Sequence, residues 1–215
     1  MPLTLYCHPL SSYSMKALIA LYENDTPFTP HLLANLQDAA ERAEFAKIWP
    51  IAKFPVLKDG DWTVPESSII IEYLDQHYPG KTRFIPADPD LARQMRMRDR
   101  FFDLYVMERM MKIVGDRLRP EGKHDPYGVD EARAKLETAL TLVDEAMAGK
   151  TWAAGEGFTM ADCAAAPALF YTAKVVTAFD SAYPNAAGYL DRLKKRPSFA
   201  RALREAEPYM HLFPQ

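Results

Sequence analysis

One short run, the Lys-Phe-Pro-Val-Leu of residues 53–57, constrains this chain more than any other feature of its sequence. It places Pro55 just ahead of a short apolar strand. Proline lacks the backbone N–H that a central strand needs, so the position favours a bend in which the N–H and C=O of Phe54 stay unpaired. An extended ligand could bind to those two groups. The run therefore predicts a peptide-binding bend, and a cis bond before Pro55 would fix its geometry.

A second signal is the sequence Glu66-Ser67-Ser68, which precedes an apolar-periodic segment that reaches Tyr78 and predicts a helix. Ser67 is expected to cap this helix. The unpaired N–H groups of a helix N-terminus bind anions, so the cap predicts a site for a carboxylate. Bend and cap together predict a site for a small carboxylate-bearing peptide, and glutathione fits that description.

The overall composition excludes several classes of protein. The chain has 215 residues, is 48% hydrophobic and carries a formal net charge of −3, which is typical of a globular protein and not of a nucleic-acid binder. Neither an apolar run of membrane length nor a signal sequence is evident, so we expect a cytoplasmic protein without a membrane partner. The two cysteines, Cys7 and Cys163, fit a reducing compartment, and the histidines lack metal-ligand spacing, so no metal is expected.

Hydrophobic spacing predicts two different domains. Residues 1–80 read as strand, helix, strand, helix, hairpin and helix, with Asp59-Gly60-Asp61 favouring the hairpin turn. This order predicts an α/β thioredoxin-like domain with a four-stranded mixed sheet. Residues 81–89 contain the breaks expected of a linker. Residues 90–215 lose the strand pattern and predict an all-α domain, which begins with one long helix over residues 90–118.

These features together resemble the cytosolic glutathione S-transferase family in its serine-type, bacterial-like version, and the resemblance covers nearly the whole chain. It implies the conjugation of glutathione, as co-substrate, to a small hydrophobic electrophile, a detoxification role and a homodimer. The matching segments are the first strand, turn and helix (residues 5–16), the cis-proline run (residues 53–57), the γ-glutamyl-binding pair Glu66-Ser67, and two helical-domain segments (residues 159–163 and 196–200).

Conjugation needs the glutathione thiol as a thiolate, and a free thiol with a pKa of about 8.5 is mostly protonated at neutral pH. The resemblance places the stabilising hydroxyl at Ser11, in the turn before the first helix, where the positive helix end also favours an anion. Ser12 is the second candidate, because some bacterial relatives carry a functional cysteine one position later. Tyr13 and Ser14 are further alternatives. Either of the first two serines could instead serve only as a helix cap.

The resemblance also implies a role for each glutathione-binding residue. Phe54, ahead of Pro55, would hold the peptide by its backbone. Glu66 and Ser67 would meet the α-amino and α-carboxylate groups, and Lys53 would reach the glycyl carboxylate. A solvated turn, a helix cap and a surface lysine are the structural alternatives. Asn35 and Gln37 are additional candidates to which we assign no role.

The electrophile pocket is expected between the active-site turn and the long helix, because methionine and aromatic side chains make an adaptable apolar surface. Ordinary core packing is the alternative for each residue. The predicted lining residues are Tyr105, Met107, Met110 and Met111. Tyr6 and Cys7 are interpreted as strand residues, with Cys7 buried and inert. Three other functions stay open: a non-catalytic glutathione-binding or ligand-binding protein, a glutathione-dependent peroxidase, and an isomerase, although Tyr13 stands where isomerase-type relatives carry cysteine.

Overall fold

The computed structural model of the protein describes residues 3–33 and 38–214. Its N-terminal domain contains a four-stranded sheet in the order β2-β1-β3-β4. Strands β1 and β2 are parallel, whereas β3 is antiparallel to both β1 and β4. The strands are β1 (Leu3–Cys7), β2 (Phe28–Leu32), β3 (Val56–Asp59) and β4 (Trp62–Pro65). The predicted mixed sheet is thereby confirmed.

Three helices complete the N-terminal domain, and the local sequence explains their bounds. They are α1 (Ser12–Glu23), α2 (Ala39–Ile48) and α3 (Ser67–His77). Ser11 caps α1 and Asp38 caps α2, each by accepting backbone N–H bonds from the first turn. Gly60 takes the positive φ of 56° that the hairpin turn between β3 and β4 requires.

The rest of the described chain is helical, in agreement with the predicted all-α domain. The prediction of one long helix over residues 90–118 was wrong. A π-helical segment, Phe102–Met107, separates two α-helices there. A π turn holds one residue more than an α turn, and such segments occur often at functional sites. The elements are α4 (Pro89–Phe101), the π segment, α5 (Glu108–Arg117), α6 (Pro126–Met147), α7 (Met160–Thr172), α8 (Phe179–Ala182), α9 (Pro184–Lys195), α10 (Pro197–Ala206) and a 3₁₀ helix (Glu207–Leu212).

Helix α1 is shared by the cores of both domains, since it packs on α3 and on α7 and α10 of the helical domain. At its last residue, the buried Glu23 carboxylate accepts two hydrogen bonds from Arg196, at 2.9 and 2.7 Å, and one from the Ser198 hydroxyl at 2.8 Å. The two domains are therefore joined by polar contacts as well as by apolar packing.

Helix α7 forms the buried centre of the helical domain, and a capping motif fixes its start. The Asp162 carboxylate accepts hydrogen bonds from the Thr159 N–H at 2.8 Å and the Thr159 hydroxyl at 2.9 Å. The hydroxyl of Tyr189 also donates to Asp162, from α9. Thr159 and Asp162 thus form a capping box, with aspartate at the position where glutamate or glutamine is usual. Within residues 3–33 and 38–214, no helix is both long and apolar enough to cross a membrane.

Candidate active site

The turn between β1 and α1 is held by a compact set of hydrogen bonds. The Ser11 N–H donates to the His8 carbonyl at 2.9 Å, and the Leu10 N–H donates to His8 Nδ1 at 3.1 Å. Burial lowers the pKa of His8. Because Nδ1 accepts a hydrogen bond, the neutral ring carries its proton on Nε2. The His8 N–H donates in turn to the Ser14 hydroxyl at 3.3 Å, so the turn has a fixed shape.

One further hydrogen bond to this turn comes from the helical domain. The hydroxyl of Tyr171, on α7, donates to the Leu10 carbonyl at 2.7 Å. The ring of Tyr171 is buried and stacks on Phe213, with ring centroids 5.4 Å apart. The position of the turn therefore depends on a residue from the other domain.

The two serine candidates occupy different positions in the turn. Ser11 is the N-cap of α1 and accepts the Ser14 N–H at 3.2 Å, which leaves its own hydroxyl hydrogen free to donate. Ser12 is the first helical residue and is 8% exposed. Both residues line the same cavity, which we call the apolar cavity. Ser14 is fully buried beneath the turn, so it is placed to support the structure rather than to meet a ligand.

All five predicted glutathione-binding residues line one cavity of about 150 Å³, which we call the peptide cavity. The structure thus brings together two segments that the sequence separates by ten residues or more. The predicted members are Lys53, Phe54, Pro55, Glu66 and Ser67. The members that sequence analysis did not place there are Tyr13, Trp49, Arg100, Asp103, Leu104 and Glu108.

Backbone geometry on two sides of the peptide cavity suits an extended ligand. The Phe54–Pro55 bond is cis. The backbone N–H and C=O of Phe54 make no hydrogen bond with the part of the chain that the structure describes, so both groups can pair with a ligand. On the opposite side, Glu66 has a positive φ of 68°, a conformation that costs a non-glycine residue about 1–3 kcal/mol and is frequent at functional sites.

The predicted cap of α3 needs a correction. Glu66, and not Ser67, occupies the N-cap position, and it makes no side-chain capping bond. The reason is the backbone of Glu66, whose φ and ψ of 68° and 119° are not helical, so the helix begins at Ser67. Among the described residues, no side chain caps the first N–H groups of α3, which remain suited to an anion.

A buried charge cluster behind the peptide cavity was missed by sequence analysis. The ammonium of Lys16, 1% exposed, lies 2.6 Å from Asp99 Oδ1 and 2.8 Å from Asp103 Oδ2, and donates to the Ser68 hydroxyl at 2.8 Å. Burial raises the pKa of Asp103, and the nearby charges of Lys16 and Arg100 oppose that rise. The cluster joins α1 and α3 to the π segment. The one signal of this cluster in the sequence was Lys16 itself, because a lysine within the apolar residues of α1 needs a buried partner.

The apolar cavity, of about 450 Å³, adjoins the peptide cavity and shares Tyr13, Lys53 and Phe54 with it. Two of the four predicted pocket residues, Met110 and Met111, line it together with Ser11 and Ser12. The remaining lining residues are Leu10, Ala52, Val114, Gly115, Leu118, Tyr171 and Phe213. Aromatic, methionine and aliphatic side chains thus make up most of the wall beside the two serines.

The other two predicted pocket residues lie elsewhere, which corrects that part of the prediction. Met107 is 2% exposed and belongs to the core. Tyr105 is 53% exposed and lines a separate groove of about 880 Å³ with Phe101 and Leu142. The helical repeat turns these two side chains to faces different from that of Met111, which spacing in the sequence did not reveal.

Cys7 is placed as predicted. Cys7 is 1% exposed in β1, and burial, with a smaller effect of Glu205, raises its pKa to about 12. Cys163 is fully buried, and burial raises its pKa as well. Both thiols therefore stay protonated and unreactive at neutral pH. Tyr6 lies in β1 and packs against the rings of His31 and Phe45, as expected of a strand residue.

Asn35 and Gln37 lie outside the described residues. In the described ranges, no group of three or more His, Cys, Asp or Glu side chains is placed to hold a metal ion.

Comparison with known families agrees with this geometry. Residues 5–82 match the description "Glutathione S-transferase, N-terminal domain", and residues 106–197 match "Glutathione S-transferase, C-terminal domain". The chain belongs to the glutathione S-transferase family. The first match contains the active-site turn and both segments that line the peptide cavity, and the second contains α5 and α7 of the apolar cavity.

Three relatives of this transferase-family chain are distant but match it almost end to end. A stringent starvation protein A homolog from Coxiella burnetii is 29% identical over 213 residues, which cover 95% of this chain and 93% of the relative. A solved glutathione S-transferase from Methylobacterium radiotolerans, in complex with glutathione sulfonate, is 27% identical with a TM-score of 0.82 and covers 94% of each chain. Another, from Methylobacillus flagellatus with glutathione bound, is 26% identical with a TM-score of 0.85 and covers 93% of this chain and 98% of that one.

Proposed function

We propose that this protein is a glutathione transferase that activates the thiol of glutathione and conjugates it to hydrophobic electrophiles. The γ-glutamyl group lies at Glu66 and Ser67, where the carboxylate meets the N-terminus of α3 and the α-amino group meets Glu66. The cysteinyl backbone pairs with Phe54 at the cis-proline bend, and Lys53 binds the glycyl carboxylate. This arrangement directs the thiol toward the N-terminus of α1.

The thiol releases its proton to solvent and reacts as a thiolate, which Ser11 stabilises by donating a hydrogen bond from its hydroxyl group. Ser12 is the alternative donor, and the positive end of α1 assists either one. The thiolate attacks an electrophilic carbon in the apolar cavity. A sulfur–carbon bond forms, and the electron pair of the broken bond goes to the leaving group, or to a carbonyl oxygen in a conjugate addition.

A single observation carries this proposal: the peptide cavity and the apolar cavity share Tyr13, Lys53 and Phe54, and the two serine candidates lie on the apolar side. A thiol held by the peptide cavity therefore meets an acceptor beside a hydroxyl donor. We further propose a cytoplasmic homodimer with a role in detoxification. Residues 1–80 form its glutathione-binding domain, residues 81–89 its linker, and residues 90–215 the domain with the electrophile pocket.

A spectrophotometric pH titration tests the proposal by following the thiolate absorbance of bound glutathione, with binding measured by calorimetry in the same buffer. The expected result is an ionisation clearly below the free value of about 8.5, together with turnover of an aryl halide. Binding with an unshifted thiol pKa would contradict the catalytic part, and absence of binding would contradict the whole proposal.

A second candidate function is a glutathione-binding protein with little turnover. It is favoured by the relative named stringent starvation protein A homolog, which matches nearly the whole chain without bearing a transferase name. The unshifted titration described above is its expected result. Reduction of an organic hydroperoxide by the same thiolate would identify a peroxidase, whereas Tyr13 in the active-site turn argues against the isomerase.

A further inference from the structure

A third cavity, of about 610 Å³, opens beside the two that the proposed function uses, and we call it the Arg109 cleft. It shares Tyr13, Lys53 and Glu108 with the peptide cavity, and Tyr13, Lys53 and Met111 with the apolar cavity. An acceptor whose reactive carbon lies by the thiol can therefore extend a substituent into this cleft. The other residues that line it are Arg109, Lys112, Asp125, Tyr127, Gly128, Glu131 and Ala132.

Arg109 is the unusual residue of this cleft. Its side chain is half-buried on α5, and its Nε atom is buried without a hydrogen-bond partner. Its guanidinium makes no ion pair or hydrogen bond with any described residue. A guanidinium offers five donors in a planar fork that matches a carboxylate, and partial burial without an acceptor is unfavourable. An anion bound to Arg109 would supply the hydrogen-bond acceptor that the guanidinium lacks.

The other charges of the cleft do not satisfy Arg109. Lys112 is paired with Asp125, and Glu131 is paired with Lys135 at 2.6 Å, although the charge of Arg109 contributes to the lowered pKa of Glu131. Glu108, which also lines the peptide cavity, is exposed and therefore strongly screened.

Lys53 is the second cation of the cleft without an ion pair among the described residues. In the proposed function it binds the glycyl carboxylate of glutathione. With Lys53 bound to glutathione, Arg109 is still unpaired among the described residues. Because Arg109 is half-buried and Lys53 is exposed, the charge of Arg109 is less screened by solvent, and an incoming acceptor meets it.

We propose that the acceptor substrates of this protein carry an anionic group, such as a carboxylate, that binds Arg109 while their electrophilic carbon lies in the apolar cavity. The inference rests on the proposed function, since it names the substrate class of that site. Arg109 acts here as a specificity-determining residue. It holds the far end of the acceptor and takes no part in bond making.

Two acceptors of the same reactivity class test the inference: a chlorodinitrobenzene and its ring-carboxylated analogue, a chlorodinitrobenzoate. Wild-type protein is expected to show the lower KM for the carboxylated acceptor. Arg109→Gln should raise that KM about tenfold, as for one charge-assisted hydrogen bond at a half-buried site, and leave the KM for the neutral acceptor unchanged. Arg109→Lys should recover part of the loss. Arg133→Gln, an exposed residue on α6 outside the cavities described here, is the matched control for net charge.

Calorimetry with dinitrobenzoate and dinitrobenzene, which lack the leaving group, makes the test independent of turnover. Wild type and Arg133→Gln should bind the benzoate more tightly, and Arg109→Gln should lose that preference. Equal binding of the two compounds by wild type, or an unchanged preference in Arg109→Gln, overturns the inference even if conjugation proceeds. A retained preference without conjugation would instead overturn the proposed transferase function and leave the anion site intact.

Discussion

The peptide cavity and the apolar cavity share three residues but are built by opposite means. Charged groups, a cis-proline bend and a strained Glu66 backbone form the peptide cavity, and the Lys16 cluster lies behind it. The apolar cavity is formed by methionine and aromatic side chains from α5, α7 and the C-terminal segment. The comparison teaches that a ligand common to a whole family can be bound by fixed backbone. A variable acceptor is met by side-chain packing that can change.

The largest expected effect lies on the polar side, at Lys16. Lys16→Met removes the ammonium and leaves the buried carboxylates of Asp99 and Asp103 with Arg100 as the one remaining cation of the cluster. One buried negative charge is then uncompensated, which should lower the free energy of unfolding by about 3–5 kcal/mol at neutral pH. Urea unfolding measures this loss. The loss should shrink as the pH falls, because burial raises the pKa of Asp103 and the loss of Lys16 removes a charge that opposes this rise, so the carboxyl group takes up a proton.

Lys47→Met is the matched control for this experiment, since Lys47 is exposed and its one ion pair among the described residues is with the exposed Glu44. It should change the free energy of unfolding by less than about 1 kcal/mol. Equal free energies of unfolding for the Lys16 and Lys47 variants would show that the Lys16 cluster contributes little to stability.

The next largest effect lies where the two cavities meet. Alanine at the thiolate donor, Ser11 or Ser12, should lower kcat by about 10²–10³, as for one lost oxyanion donor. Alanine at Ser11 should also cost about 1 kcal/mol of stability through the lost cap. Ser11→Asp separates the two roles, because aspartate caps a helix well but opposes a thiolate. Unchanged kcat in both alanine variants would refute the mechanism.

The contrast between the cavities also explains what could be predicted from the sequence. Part of the peptide side was predictable, because Pro55 and the Glu66-Ser67 pair lie in short segments whose local chemistry restricts their geometry, although the N-cap of α3 is Glu66 and not Ser67. The fold class followed from the order of strand and helix patterns. Tyr105 and Met107 were misplaced because the rotation of a long helix, with a π segment within it, depends on packing against other helices. Lys16, Arg100 and Asp103 were missed because their contacts join residues far apart in the chain.

On the apolar side, Tyr171→Phe keeps the ring and removes only the hydrogen bond to the Leu10 carbonyl. The unsatisfied carbonyl should cost about 1–3 kcal/mol, and the looser turn should raise the pKa of the bound thiol. Tyr189→Phe loses a hydrogen bond to Asp162, away from the turn, and should reduce stability without moving the thiol pKa. Equal thiol pKa values in the two variants would show that Tyr171 is only structural.

The smallest expected effect tests whether the backbone of Glu66, on the peptide side, is strained. Glu66→Gly and Glu66→Ala both remove the carboxylate and should weaken glutathione binding equally in calorimetry. Glycine accepts a positive φ without strain, so the glycine variant should be more stable than the alanine variant by about 1 kcal/mol in thermal unfolding. A more stable alanine variant would mean that the backbone at this position is relaxed.

The contact of Glu23 with Arg196 and Ser198 has a consequence for how the chain is made. Helix α1 leaves the ribosome early, but the two residues that bind its last carboxylate are synthesised 173 and 175 positions later. Domains usually fold as units during synthesis, N-terminal first. Until those two residues are made, the Glu23 carboxylate can accept a hydrogen bond from the Thr82 hydroxyl, at 3.1 Å in the finished protein, but it lacks its ion pair until the chain is nearly complete. We therefore expect a ribosome-bound chain that stops before residue 196 to be cut by protease in α1, and the finished protein to resist.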